Sequence, residues 1–329
     1  ACETMNKYVG ARITYQFGDK SETLSGDEIH NWLTVNGTSV RINEGKATEY
    51  VKKLAASYDT AYKAKSLKTS YGKTVSITGG SYGYKINQAK EAATLVSLIK
   101  NGEQTSREPE YSQKGASRTG NDYGNTYVEI NLTAQHLYFY VKGKLVVQSD
   151  FVSGNAAKGW STPAGAYSIT YKQRNATLKG QGYATPVSYW MPFNGGIGLH
   201  DANWRKTFGG TIYKTNGSHG CVNLPPAVAK TIYENISAGD PVLCYHLDGT
   251  ESASTSGTKK DETAATTAAA TTAAPETTVA PTTAAPETTA APTTAAPTTE
   301  APTTPAAGGD QESVGPGFAP ETEGTTEQE

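Results

Sequence analysis

The sequence predicts a mainly β domain over residues 126–248, a β-sandwich or barrel-like core with one short helix. A small α+β domain over 1–105 precedes it, joined by a linker at 106–125, and a disordered tail runs over 249–329. Short alternating strands with Gly, Asn and Pro turns begin at Thr126. Two helical periods are interleaved with strand patterns in the first hundred residues. From Gly249 the chain is almost purely Thr, Ala, Pro, Glu, Ser and Gly, which cannot bury enough apolar surface to offset its ordering entropy.

In chain order, residues 8–17 read as a strand that alternates from Arg12 onward. Ser25-Gly26-Asp27-Glu28 has the Ser-x-x-Glu form of a capping box ahead of Ile29, Trp32 and Leu33. Ala47, Tyr50, Val51, Leu54, Ala55 and Tyr58 recur at helical spacing and predict a longer helix. Residues 74–78 read as a strand. Asn87 reads as the N-cap of a helix with Ala92, Leu95, Val96 and Ile99 on its apolar face, ended by Gly102. Nothing in this third forms a catalytic constellation, and Trp32, Tyr82 and Tyr84 read as core packing in preference to glycan contacts.

Beyond the polar linker, 127–132 alternates, and 136–141 and 145–152 flank Lys142-Gly143-Lys144, a hairpin turn. Residues 166–171 and 189–193 are further strands. A helix over 227–236 starts at Pro225-Pro226 and carries Val228, Ile232 and Ile236 on one side. Residues 240–247 close the domain as a strand.

A formal charge of −2 without a basic run argues against nucleic acid as a partner. Three cysteines make no disulfide framework. No apolar run approaches the ~18–20 residues of a membrane helix. The chain begins Ala1-Cys2, as a mature form or fragment would after loss of a signal or membrane anchor, so the N-terminus does not reveal the compartment.

Chemistry concentrates in Gly217-Ser218-His219-Gly220-Cys221-Val222-Asn223, with His200-Asp201 upstream. Ser218, Gly220 and Asn223 are turn-forming neighbours, poor material for a core around a structural cysteine. A thiolate is the reactive form of cysteine, and an adjacent histidine is the usual means of lowering its pKa. Two rival readings of these residues exist. His219-x-Cys221 with Cys244-x-His246 could supply four zinc ligands, although one-residue spacers suit only extended strands. A papain-like hydrolase places its cysteine scores of residues ahead of the histidine, and here His200 and His219 both come first.

His200, then seventeen residues, then Ser218-His219-Gly220-Cys221-Val222-Asn223 resembles the signature of the L,D-transpeptidase (YkuD) catalytic domain. The resemblance spans about 126–247 and takes in Ser161-Thr162-Pro163-Ala164-Gly165 and the run from Tyr189 to Asp201. Gly79-Gly80-Ser81-Tyr82-Gly83-Tyr84 before an Asn-initiated helix resembles a peptidoglycan-binding domain often found ahead of such enzymes. The resemblance implies a YkuD-type β-sandwich and 3→3 cross-linking of peptidoglycan through a Cys221 thioester, with a donor tetrapeptide stem and an acceptor amine as partners. It implies His200 as general base, oriented by the Asp201 main-chain carbonyl, and His219 and Ser218 in support. Backbone N–H groups of Gly220 and Cys221 would hold the oxyanion, with Tyr189 as a third donor. Asn223, Asp201, Tyr189 and Trp190 are the expected substrate contacts. No cofactor or metal is called for, the chain is expected to be a monomer, and the implied location is extracytoplasmic, at the cell wall or surface. L,D-carboxypeptidase action, or wall binding with weak catalysis, is the alternative.

Overall fold

A computed structural model describes residues 1–180 and 182–251; the expected tail from 252 onward lies outside the described residues. The first third begins with helix α1 (Cys2–Val9), the antiparallel pair β1 (Arg12–Phe17) and β2 (Lys20–Leu24), and a single turn α2 (Gly26–Ile29). Hairpin β3 (Leu33–Asn36) and β4 (Ser39–Ile42) leads to α3 (Glu44–Tyr58), and β5 (Lys65–Lys68) with β6 (Thr74–Ile77) forms another hairpin. β7 (Lys85–Ile86), α4 (Gln88–Asn101), β8 (Gln104–Arg107) and β9 (Tyr111–Gln113) follow. The two long helices start where side-chain caps allow: Asn43 accepts from the Lys46 N–H and Asn87 from the Lys90 N–H. Gly102, left-handed at φ 69°, ends α4. Ala47, Tyr50, Val51, Leu54 and Ala55 of α3 and Leu95, Val96 and Ile99 of α4 bury into one core with Ile13, Tyr15 and Phe17.

Several readings need correction here. Residues 8–9 end a helix instead of opening a strand. Ser25 caps a one-turn helix without a side-chain bond, its main-chain carbonyl already taking the Glu28 and Ile29 N–H groups. The segment read as a linker takes in the end of β8, which pairs in parallel with β1, and the whole of β9, which pairs with β7.

The β-rich part contains β10 (Tyr127–Asn131), β11 (His136–Val141), β12 (Lys144–Asp150), β13 (Gly165–Ser168), β14 (Gln173–Gly180), β15 (Tyr183–Asn194) and β16 (Ile197–Asp201). Helix α5 (Ile212–Asn216), β17 (Val222–Leu224), α6 (Pro226–Asn235) and β18 (Pro241–Tyr245) complete it. One sheet runs β12-β11-β10-β18-β13 and the other β14-β15-β16-β17. Between them pack Val128, Ile130 and Phe139 from the first sheet, Met191, Leu199 and Val222 from the second, and Ile232 of α6. This is a β-sandwich. Lys142 and Gly143, both at positive φ, make the two-residue turn that joins β11 to β12. Helix α5 is additional to the one helix expected. β14, β16 and β17 carry no alternation long enough to announce them; along β14 only Ala176 is buried.

The first third is tied to the sandwich by buried polar contacts. Glu129, fully buried on β10, accepts from the Ser70 N–H at 2.9 Å, the Ser70 hydroxyl at 2.7 Å and the Tyr245 hydroxyl at 2.6 Å. Lys65 meets Asp122 at 2.5 Å. Along the outer edge of β13, the Ala166 N–H donates to the Gly79 carbonyl and the Tyr82 N–H to the Ala166 carbonyl, at 3.1 and 3.0 Å. Gly80, at φ 77°, lies so close that any Cβ would overlap the Ala166 backbone. Tyr82, Tyr84 and Trp32 are all buried, in keeping with a packing role.

Candidate active site

β16 and β17 run parallel, with Leu199 opposite Val222 and His200 opposite Asn223. Their pairing brings the two halves of the sequence motif together, although more than a dozen residues separate them. The loop ahead of β17 is held from the other side by residues 152–162. Ser218 N–H donates to the Ser153 carbonyl at 3.0 Å, and Asn155 N–H to the Ser218 carbonyl at 2.8 Å. Buried Thr162 accepts from the Gly154 N–H at 3.0 Å and donates to the Gly220 carbonyl at 2.6 Å. Gly220 itself sits at φ 122°, a conformation side-chain-bearing residues rarely adopt. Thr162→Val keeps the volume but strands two buried backbone groups. It should cost about 1–3 kcal/mol, read as a lowered denaturant midpoint at unchanged slope.

A cavity of about 230 Å³ opens above this junction, lined by His200, Ser218, His219, Cys221, Asn223, Trp204 and Arg205, with Leu178 and Thr185 from β14 and β15. Five residues singled out in the sequence therefore share one space. The imidazole of His200 is buried and its Nδ1 is 2.9 Å from the Asp201 carbonyl. A carbonyl only accepts, so Nδ1 carries the proton and Nε2 presents a lone pair. Burial holds the His200 pKa below the usual 6.5, opposed by the Asp201 carbonyl and carboxylate and reinforced by Arg205.

Cys221 is half-buried, its thiol 3.5 Å from the Gly196 carbonyl. Burial pushes the thiol up to about 11, partly offset by a hydrogen bond from the Gly198 N–H. The expectation of a thiol acidified by its neighbouring histidine is thus reversed. Both shifts favour a resting pair of neutral thiol and neutral imidazole, poised to transfer a proton when a carbonyl arrives. His219 instead stacks on Trp160, ring centroids 4.2 Å apart and 24° from parallel.

Other expectations also shift. The Gly220 N–H donates to Ser218 Oγ at 3.0 Å, while the Ser218 hydroxyl donates to the Cys221 carbonyl at 2.6 Å. Of the two N–H groups expected to hold an oxyanion, that of Cys221 is the one left uncommitted among the described residues. The Asp201 carboxylate is buried and accepts from the Tyr189 N–H at 2.8 Å, so it pins β15 and does not face the cavity. The Tyr189 ring packs against Tyr233 and under Arg174, away from the cavity. Trp190, on the opposite face of the strand, lies buried 5.9 Å from the His200 ring and donates to the Tyr171 hydroxyl. It backs the dyad without lining the cavity. Cys244 is in the sandwich core and His246 meets Thr133, so the His219–Cys221 and Cys244–His246 pairs do not converge. Sequence reasoning missed Trp160, Trp204 and Arg205, and took in Thr162 only as part of the run that carries the resemblance, with no role given to it. An aromatic followed by arginine in a polar loop, four and five residues after His200, was the available signal for Trp204 and Arg205.

Fold and cleft define a β-sandwich protein whose thiol–imidazole site is suited to acyl chemistry. The family model for the L,D-transpeptidase catalytic domain (YkuD) matches residues 125–244, and that described as "Putative peptidoglycan binding domain" matches 2–107. A crystal structure of a mutant Enterococcus faecium L,D-transpeptidase is 32% identical, covering 74% of this chain and 99% of that one with a TM-score of 0.61. The structure of the Ldtfm-avibactam carbamoyl enzyme is 33% identical, covering 74% and 97% with a TM-score of 0.60. No curated protein matches the chain. The chain belongs to the L,D-transpeptidase family. Among the described residues no helix is long and apolar enough to cross a membrane.

Proposed function

We propose that the chain is a peptidoglycan L,D-transpeptidase that forms 3→3 cross-links at the cell wall through a Cys221 thioester. The observation that carries this reading is the His200 tautomer: with Nδ1–H committed to the Asp201 carbonyl, Nε2 is the free base in the cavity that holds Cys221. Cys221 Sγ attacks the carbonyl of the third residue of a tetrapeptide stem as its proton passes to Nε2. Charge developing on the carbonyl oxygen is met by the Cys221 N–H. The carbon–nitrogen bond breaks, Nε2 returns the proton to the leaving nitrogen, and D-alanine departs. A side-chain amine of a neighbouring stem then attacks the thioester, gives its proton to Nε2, and restores the thiol. Asn223, buried and lining the cavity, contributes a contact for the peptide backbone.

Incubation with a disaccharide-tetrapeptide, followed by mass spectrometry, tests the reading. Cross-linked dimer lacking one D-alanine is the expected product. Tripeptide alone would make the protein a carboxypeptidase, and unchanged substrate would overturn the assignment.

A further inference from the structure

Two residues that line the cavity each carry a fully buried side-chain atom without a hydrogen-bond partner among the described residues, Nε of Arg205 and Oδ1 of Asn223. Arg205 is also the one Lys or Arg among the described cavity-lining residues, and no described carboxylate pairs with it. Its guanidinium has lost part of its hydration, which draws its pKa down, and no carboxylate among the described residues offsets that loss. A partly desolvated guanidinium without a described carboxylate partner is a fork open to an anion, and carboxylate is the anion whose geometry it matches. Its position is equally specific. The loop after β16 turns back through a hydrogen bond from the Arg205 N–H to the Ala202 carbonyl, which sets Arg205 close enough to His200 to disfavour the imidazolium.

We propose that Arg205 receives the C-terminal carboxylate of the residue that leaves the donor stem, so that the site reads a tetrapeptide by the charge at its end. The inference rests on the acyl-transfer reading above and names the substrate feature that its donor site recognises. The nitrogen that takes the proton from His200 Nε2 is bonded to the α-carbon that bears this carboxylate. The anion is therefore bound to lie beside His200, on the side of the cavity where the unpaired cation sits. A stem one residue longer places a neutral amide there and carries its charge ~3.3–3.6 Å further along the chain. Binding the carboxylate also neutralises the charge that disfavours protonation of His200. The correct donor thereby makes its own base stronger, and departure of the D-residue removes that assistance before the acceptor amine enters.

The full chain should be assayed on two donors, a disaccharide-tetrapeptide and the same molecule ending in D-alaninamide, by the rate of release of the terminal residue. The wild type should prefer the carboxylate by about 10- to 100-fold in kcat/KM, the range that one charge-assisted hydrogen-bonded contact supplies. Arg205→Gln should collapse the carboxylate-to-amide ratio to about one by slowing the carboxylate donor; the amide donor should not slow, since losing the cation also lifts the charge that disfavours protonation of His200, and Arg205→Lys should give an intermediate ratio. The amide donor is thus an internal control for folding and for the chemistry of Cys221. Equal losses on both donors, or a preference that survives in Arg205→Gln, would overturn the proposal. A wild type that releases neither residue would instead overturn the acyl-transfer reading beneath it, and this proposal with it.

Discussion

Avibactam or a carbapenem should leave a covalent adduct on the wild type and none on Cys221→Ala, which should also lower turnover of a tetrapeptide donor by at least about 10⁴-fold. The thiol is the one cysteine sulfur that faces the cavity: Cys244 lies wholly inside the sandwich core, with burial holding its thiol far up, and Cys2 sits exposed on the first helix. Removing Sγ leaves the His200 base and the Cys221-position N–H in place, yet with no atom to carry the acyl group, so no residual covalent chemistry is expected. Intact-protein mass spectrometry with peptide mapping is the measurement. Mapping matters because exposed Cys2 will react with simple alkylating reagents whatever the state of the cleft. Retained labelling at full stoichiometry in the variant would sink the assignment of the nucleophile.

His200→Ala should slow acylation by about 10²- to 10⁴-fold, whereas His246→Ala, whose side chain meets Thr133 outside the cleft, should leave it unchanged. A buried neutral thiol raised to about 11 cannot ionise unaided near neutrality, so its proton must pass to a base during the attack. In the proposed mechanism His200 is that base, in its neutral form. Because its pKa is depressed, the neutral form persists to lower pH than an ordinary histidine would allow. The acid limb of kcat/KM should therefore fall below pH 6.5 and the alkaline limb should approach the thiol value near 11, with a broad plateau between. An acid limb above pH 7, or equal damage from the two histidine substitutions, would rule His200 out as the base.

The parts of this site that were legible in the sequence are those that a contiguous pattern encodes. Cys221, His219 and Ser218 announced themselves because a turn-rich run surrounding a lone cysteine is poor core material. The Asp201 main-chain contact to His200 came only with the family resemblance, since a backbone atom has no letter in the sequence. Tyr189 and Trp190 illustrate the limit: adjacent residues of a strand face opposite ways, and the sequence alone does not say which face meets the cleft. The role of Thr162, and Arg205 altogether, were illegible because their value depends on what lies across from them. A threonine becomes a staple only when the Gly154 N–H and the Gly220 carbonyl flank it. The long helices and the hairpin at Lys142-Gly143 were readable from local periodicity and turn chemistry, while β14, polar along most of its length and paired only with β15, had no apolar rhythm to betray it.

The contact of Gly79, Gly80 and Tyr82 with Ala166 bears on how the protein keeps to itself. β13 ends its sheet, and the terminal strand of a sheet offers a row of unsatisfied main-chain groups to which another molecule can add. In this chain the offer is already taken at Ala166 by its own N-terminal part, and the absence of side chains on the two glycines is what lets that backbone come close enough. Shortening the chain to the sandwich alone would reopen that row beside Leu243 and Tyr245, apolar residues now covered together with Leu67 and Tyr82. The sandwich expressed without the first hundred residues should therefore self-associate more readily than the full chain, a difference that sedimentation of the two would show.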